Sequence, residues 1–171
     1  MSKKDIYQYY VEGETEKKLL KVLKTELGCI EPGKIECFNA IQDICSPYRV
    51  RSLKVNTVVV LIFDTDVLVV NKLKKNIDFF MKHKSIKKVI CIPQVKNLED
   101  ELVQCCNIAH IKELTKSKTD SDFKRDFLKM SNVGQRLNDC GFNVSALWKG
   151  DPGGVFKGIK NEADLIRGIN R

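Results

Sequence analysis

The chain contains no C-x-x-C pair and only two histidines, His83 and His110. Only these two could supplement the thiols and neither has metal-ligand spacing to the other, so zinc is much the weaker reading and both are taken as surface or packing residues. The cysteines, at positions 29, 37, 45, 91, 105, 106 and 140, are odd in number, and any disulfide framework would leave one over. They are read as reduced thiols that behave as small buried hydrophobes. The longest apolar run, Thr57 to Phe63, is far short of the roughly 20 residues a membrane span needs, and Met1-Ser2-Lys3-Lys4 leads into no apolar signal segment. The expectation is a cytoplasmic protein with no membrane partner. Repeats, low-complexity tracts and linkers are missing too, which predicts a single domain over residues 1–171.

What is present is positive charge. Thirty Lys and Arg against 22 Asp and Glu give a net +8, a balance that favours a polyanionic partner such as DNA or RNA over an acidic small molecule. A Lys-rich soluble surface would have the same composition. Residues 111–171 are the most positive third, with 12 basic residues against 8 acids.

Apolar patterning alternates strand and helix. Asp5 to Val11 reads as a first strand, and Thr15 as the cap of a helix carrying Leu19, Leu20, Leu23 and Leu27 until Gly28 ends it. Lys34 to Phe38 reads as a strand and Ala40 to Ser46 as a short helix stopped by Pro47. Thr57 to Phe63 has no polar alternation, the mark of a central strand buried on both faces. Val70 to His83 reads as helix, Lys88 to Pro93 as strand, Leu98 to Ala109 as helix, Phe123 to Leu137 as helix and Phe142 to Leu147 as a last strand. The turn-rich Gly150-Asp151-Pro152-Gly153-Gly154 follows; it lacks Gly-Lys-Ser/Thr and is not a phosphate-binding P-loop. The pattern predicts an α/β fold with a mainly parallel sheet of about four to five strands and helices on both faces.

Acids stand where the apolar runs stop. The first strand runs into Glu12-Gly13-Glu14-Thr15-Glu16, and Val58 to Phe63 runs into Asp64-Thr65-Asp66. Open α/β sheets present ligand-binding groups at the carboxyl ends of their strands, so adjacent strands would gather Glu12, Glu16, Asp64 and Asp66 in one crevice. In a continuous strand, Asp64 and Asp66 would share a face. Carboxylates packed closely raise one another's pKa unless a cation compensates, and an all-oxygen set suits Mg²⁺ or Mn²⁺. Glu99-Asp100-Glu101 opens the helix after the next strand and offers a fifth ligand, for which Glu99 is favoured. Five carboxylates would allow one ion or two, the latter about 3.5–4 Å apart. Ordinary roles compete: acids in a first helical turn are favoured by the macrodipole, which would account for Glu14, Glu16 and the 99–101 run.

The arrangement of a hydrophobic strand, Glu-Gly-x-Thr-Glu at 12–16, and a second hydrophobic strand ending in Asp-x-Asp at 64–66 resembles the TOPRIM domain of topoisomerases, bacterial primases and several nucleases. Val11-Glu12-Gly13-Glu14-Thr15-Glu16 is most similar to small nucleases of the overcoming-lysogenization-defect (OLD) and RloB-like groups, with Asn97-Leu98-Glu99 at the position of a later family glutamate. The resemblance covers residues 5–105; the basic extension, 111–171, matches nothing in it. It implies a magnesium-dependent nuclease, a hydrolase acting on phosphodiester bonds, with Glu12 as metal ligand or acid/base, Asp64 and Asp66 holding Mg²⁺ and taking part in catalysis, and Glu16 and Glu99 completing a second metal position. It also implies a role in phage or plasmid defence, or as a toxin. After Glu99 the family's apolar continuation is replaced by Asp100-Glu101-Leu102, which leaves open which of the three acids is the ligand. No ATPase domain is recognisable, so nucleotide-driven control would come from a separate ATPase or activating partner.

Two other classes fit parts of the pattern. Phe63 to Leu68 resembles the nucleophile loop of haloacid-dehalogenase phosphatases, with Asp64 attacking phosphorus, although a whole βα unit precedes it and no later Asp-Asp pair follows. A non-catalytic nucleic-acid-binding or regulatory TOPRIM subunit is the other, but five carboxylates without a metal would repel phosphate. For substrate contacts the extension offers Lys124, Arg125 and Lys129 on one helical face, and Lys149, Lys157 and Lys160 around the glycine-rich turn. Trp148 is a base-stacking candidate or, more ordinarily, a core residue.

Overall fold

The computed structural model describes residues 4–168. Four strands, β1 (Ile6–Val11), β2 (Gly33–Cys37), β3 (Thr57–Asp64) and β4 (Ile86–Gln94), form one sheet in the order β2-β1-β3-β4. All three pairings are parallel, so every carboxyl end opens on the same rim. The chain is therefore α/β with a Rossmann-like parallel sheet. No helix among the described residues is long and apolar enough to cross a membrane.

The central strand explains the two-layered core. All eight residues of β3 are buried, and alternate side chains serve opposite faces. Val58, Val60 and Ile62 join Tyr9, Val11, Ile90 and Ile92 under α1 (Glu14–Thr25) and α4 (Leu98–Cys105). Val59, Leu61 and Phe63 join Tyr10, Phe80 and Cys91 under α2 (Pro47–Val50) and α3 (Asn71–Met81). Leu19, Leu20 and Leu23 of α1 are at most 1% exposed, and burying each contributes about 1.5–3 kcal/mol.

The second half departs from the pattern-based expectation. The helix expected over 123–137 is two, α6 (Phe123–Lys129) and α7 (Val133–Asp139), after a short α5 (Lys112–Thr115). Lys18 of α1 causes the break locally: its ammonium takes the carbonyls of Phe127, Leu128 and Met130, holding the end of α6 open. No strand forms at 142–147; Asn143 starts a turn by accepting from the Ser145 N–H, and its own N–H goes to the Cys105 carbonyl. The helix expected at 40–46 is a turn organised by the Asn39 carboxamide, which accepts from Ile41 and Gln42. Pro47, read as a stop, instead occupies the first turn of α2 with Ser46 as its cap. The helix expected to run to Ala109 ends at Cys105. All seven thiols are free, and Cys45, Cys91, Cys105 and Cys106 are buried.

The extension wraps the outer edge of β4. The Glu162 N–H reaches the Cys91 carbonyl, and Lys88 pairs with Glu162 at 3.0 Å, so the edge strand is covered rather than left open. Trp148 enters the core layer on one face of the sheet and Phe156 that on the other, where it stacks on Phe63.

Candidate metal centre at the carboxyl rim of the sheet

Each rim acid is placed by a different local device. Glu12 is the first residue beyond β1, half-buried, and the backbone of Asp64 on the neighbouring strand acts to lower its carboxyl against burial. Gly13, not Thr15, is the N-cap of α1, and Glu16 is the third residue of that helix. A glycine cap has no side-chain acceptor, so the Glu16 carboxylate folds back over the N–H groups of Gly13 and of Glu16 itself. A Cβ on Gly13 would come within 3.2 Å of Glu16 Oε2; glycine makes the room that this fold-back uses.

Asp64 is the last residue of β3 and lies in register with Gln94, the last of β4. Gln94 Nε2 donates to Asp64 Oδ1 at 2.6 Å, and both residues are buried. The strand stops there. Thr65 is tied to β4 by donating to the Gln94 carbonyl and accepting from the Lys96 N–H, and Asp66 stands exposed in the following bend. Asp64 and Asp66 therefore do not share a strand face; the bend, not the pleat, brings Asp66 toward the rim. Glu99, near the start of α4, pairs with Lys124 at 3.2 Å, while its Oε2 is buried with no hydrogen-bond partner among the described residues.

The electrostatics show convergence. Burial, then the Glu12 carboxylate, pushes Asp64 up to about 7 against the Gln94 donor, with smaller contributions from Glu16 and Asp66. Burial, then Glu16 and Asp66, raises Glu12. Burial raises Glu16 as well, opposed by the two N–H groups and by Lys124, with Glu99 adding to the rise. Burial alone would lower Lys124, but Glu99, Glu16 and Asp64 outweigh it and the ammonium is raised. Glu12, Glu16, Asp64 and Glu99 thus gather around one lysine, with Asp66 beside Glu12 and Asp64.

Of the acids at 99–101, only Glu99 faces that cluster. Glu101 is 1% exposed and points into the core, where it accepts the backbone N–H groups of Val95 and Trp148, each at 2.8 Å. Asp100 lies with Glu99, His110 and Asp120 along a small groove on the outer side of α4. As the side chains stand, no three His, Cys, Asp or Glu groups among the described residues form a set that could hold a metal ion. Lys124 supplies the compensating charge in this arrangement. The donor chemistry nevertheless suits a hard cation: carboxylate oxygens only, one of them buried and unpartnered, with Asp64 and Glu12 both raised, first by burial and then by neighbouring carboxylates.

The basic candidates separate into two places. Lys124 belongs to the acid cluster. Arg125 beside it is engaged by Asp122 and Asp126, both at 2.9 Å. Lys149, Lys157 and Lys160 line a groove of about 520 Å³ around Gly150, Gly153 and Phe156, placed near the rim by the Phe156–Phe63 stack. Trp148 is 1% exposed, which removes it from base stacking.

Gln94 is the site residue that pattern reading missed. Its signal was available, since it is a polar side chain closing an apolar strand, as Asp64 is. No protein-family model, curated protein or solved structure matches this chain.

Proposed function

We propose that this chain is a metal-dependent nuclease of the TOPRIM kind, hydrolysing phosphodiester bonds of DNA or RNA. One observation carries the reading: Glu12, Glu16, Asp64, Asp66 and Glu99 lie together at the carboxyl rim of a parallel sheet although they come from three separate segments of sequence, 12–16, 64–66 and 99. Glu12, Glu16, Asp64 and Glu99 all act on the Lys124 ammonium, more carboxylates than one lysine can pair.

Glu12, Asp64 and Asp66 would hold Mg²⁺ or Mn²⁺, with Glu16 and Glu99 completing a second position. An ion held by these residues would supply Lewis acidity toward a phosphoryl oxygen and water. The chain's own groups do the rest. Without an ion, Asp64 is raised to about 7, so the cluster holds a proton near neutral pH that a divalent cation would displace. Glu12, half-buried and raised, is the rim acid left to act as acid/base where Asp64 and Asp66 hold the ion. The Lys124 ammonium, on a side chain 57% exposed, can turn from Glu99 to a substrate phosphate, and the 149–160 groove offers three more lysines along the path of a strand.

The test is direct. Purified protein is incubated with plasmid, single-stranded DNA and tRNA in Mg²⁺, Mn²⁺ or EDTA, alongside Asp64→Asn. Cleavage that needs the divalent ion and is lost in the variant supports the proposal. Cleavage that persists in EDTA or in Asp64→Asn removes it, and turnover of a phosphomonoester without nucleic-acid cleavage favours the phosphatase chemistry of Asp64.

A further inference from the structure

Four residues behind the rim form a closed hydrogen-bonded ring. Gln94 Nε2 donates to Asp64 Oδ1 at 2.6 Å, and Gln94 Oε1 accepts the indole N–H of Trp148 at 3.1 Å. The Trp148 backbone N–H donates to Glu101 Oε2, and Glu101 Oε1 accepts the N–H of Val95, the residue after Gln94. Gln94, Glu101 and Trp148 are each 1% exposed.

The ring has a direction imposed by chemistry. A carboxamide can face either way, but an indole N–H only donates. Trp148 therefore obliges Gln94 to present its oxygen to the indole and its NH₂ to Asp64. The reverse orientation would set a carbonyl against a carboxylate and two donors against each other. With Oδ1 so engaged, Asp64 keeps Oδ2 for the acid cluster. Trp148 is itself fixed: Asn161 Nδ2 donates to its carbonyl at 2.8 Å, and its backbone sits at φ 57°, a conformation bulky residues adopt only when their surroundings hold them.

We infer that Gln94 and Trp148 are positioning residues that orient the Asp64 carboxylate for cation binding, so that the C-terminal extension is part of the site although it contributes no ligand. The inference rests on the metal reading of the rim. It assigns Trp148 a role set by its N–H rather than by its ring alone. Partners of this kind, one hydrogen bond removed from a metal ligand, are worth about 10–100-fold in metal affinity.

The experiment uses the full chain and Mn²⁺, whose free concentration is read by electron paramagnetic resonance. Gln94→Met keeps the approximate shape and removes both hydrogen bonds; Trp148→Phe removes the donor and keeps an aromatic ring. Each is expected to weaken Mn²⁺ binding about 10–100-fold, whereas Phe127→Leu, which loosens the same apolar layer away from the ring, is expected to leave it unchanged. Trp148 is the single tryptophan, so its emission gives a second readout. Mn²⁺ should shift it in the wild type, and should fail to in Gln94→Met even when saturating. Wild-type binding that survives both ring substitutions overturns the inference and leaves the metal reading standing. A loss of affinity in Phe127→Leu equal to that in Gln94→Met also overturns it, since stability alone would then be the cause. If the wild-type protein binds no Mn²⁺, the metal reading itself fails and takes the positioning role with it.

Discussion

Glu99 and Glu101 lie two residues apart at the start of α4 and meet opposite environments. Glu101 is sealed in the core, yet both its oxygens are satisfied, one by Val95 and one by Trp148. Glu99 is more open, yet one oxygen is buried and unpartnered and the other leans on a lysine that other carboxylates also attract. The difference extends to the regions they represent. Behind the rim, Gln94, Glu101 and Trp148 satisfy one another's polar groups; on the rim, acids outnumber their partners. Burial does not account for the contrast between these two carboxylates; hydrogen-bond satisfaction does.

If that distinction is right, removing a rim acid should abolish function without harming the fold. Asp64→Asn, whose carboxamide oxygen can still accept from the buried Gln94 NH₂, is expected to reduce metal-dependent cleavage by more than about 10²-fold, the upper range for a group one step further from a metal, with no fall in Tm in EDTA. A variant that unfolds instead would make Asp64 a structural residue. The converse applies to Glu101→Ala, which strands two backbone N–H groups. At about 1–3 kcal/mol for each unsatisfied buried group, it should lower unfolding stability by several kcal/mol in a urea titration. A loss under about 1 kcal/mol would erase the contrast between the two glutamates.

The pH dependence sharpens the comparison further. Asp64 has its pKa raised in the folded protein from an ordinary 3.8 to about 7. The folded state therefore holds this proton more tightly than the unfolded chain does. Its contribution to stability is complete below about pH 4 and is lost as pH rises through about 7. Without divalent ions, Asp64→Asn should flatten that part of the stability profile and exceed the wild type by on the order of 1–3 kcal/mol at pH 8. Added Mg²⁺ should raise the wild-type Tm more at pH 8 than at pH 5, because only the ionised cluster binds it. Equal shifts at the two values would place the ion elsewhere.

The sheet half of the molecule was legible because its signals are local. An uninterrupted apolar run such as Thr57 to Phe63 reports a strand buried on both faces, and an acid at its end reports a rim position whatever the neighbours are. The second half was not, because its structure depends on partners distant in sequence. The break between α6 and α7 is held by Lys18, and the segment at 142–147 is turned by contacts with Cys105 rather than by its own apolar residues. Glu16 illustrates the boundary. Its helical position was readable, but the choice between cap and ligand was not, and the structure gives it both settings: a fold-back over Gly13 and a place beside Glu12 and Lys124. Gln94 escaped because the strand was ended one residue early at Pro93, and because amides are read as surface residues unless a partner is known.

The smallest effect tests the lysine that separates the two kinds of glutamate. Lys124 and Arg125 are adjacent on α6, but Arg125 is held by Asp122 and Asp126 of its own segment, whereas Lys124 is held by acids of other segments. An exposed ion pair of this sort contributes about 0.2–1 kcal/mol, so neither Lys124→Gln nor Arg125→Gln should move Tm appreciably. Their effects on the rim should differ. Lys124→Gln removes the cation that a metal has to displace, and Mn²⁺ should bind a few-fold more tightly, while cleavage falls and the salt dependence of nucleic-acid binding loses about one unit of slope. Arg125→Gln should leave Mn²⁺ affinity unchanged. If the two variants behave alike, Lys124 is one more solvated surface charge and the rim acids are balanced by bulk counterions, not by a lysine built into the site.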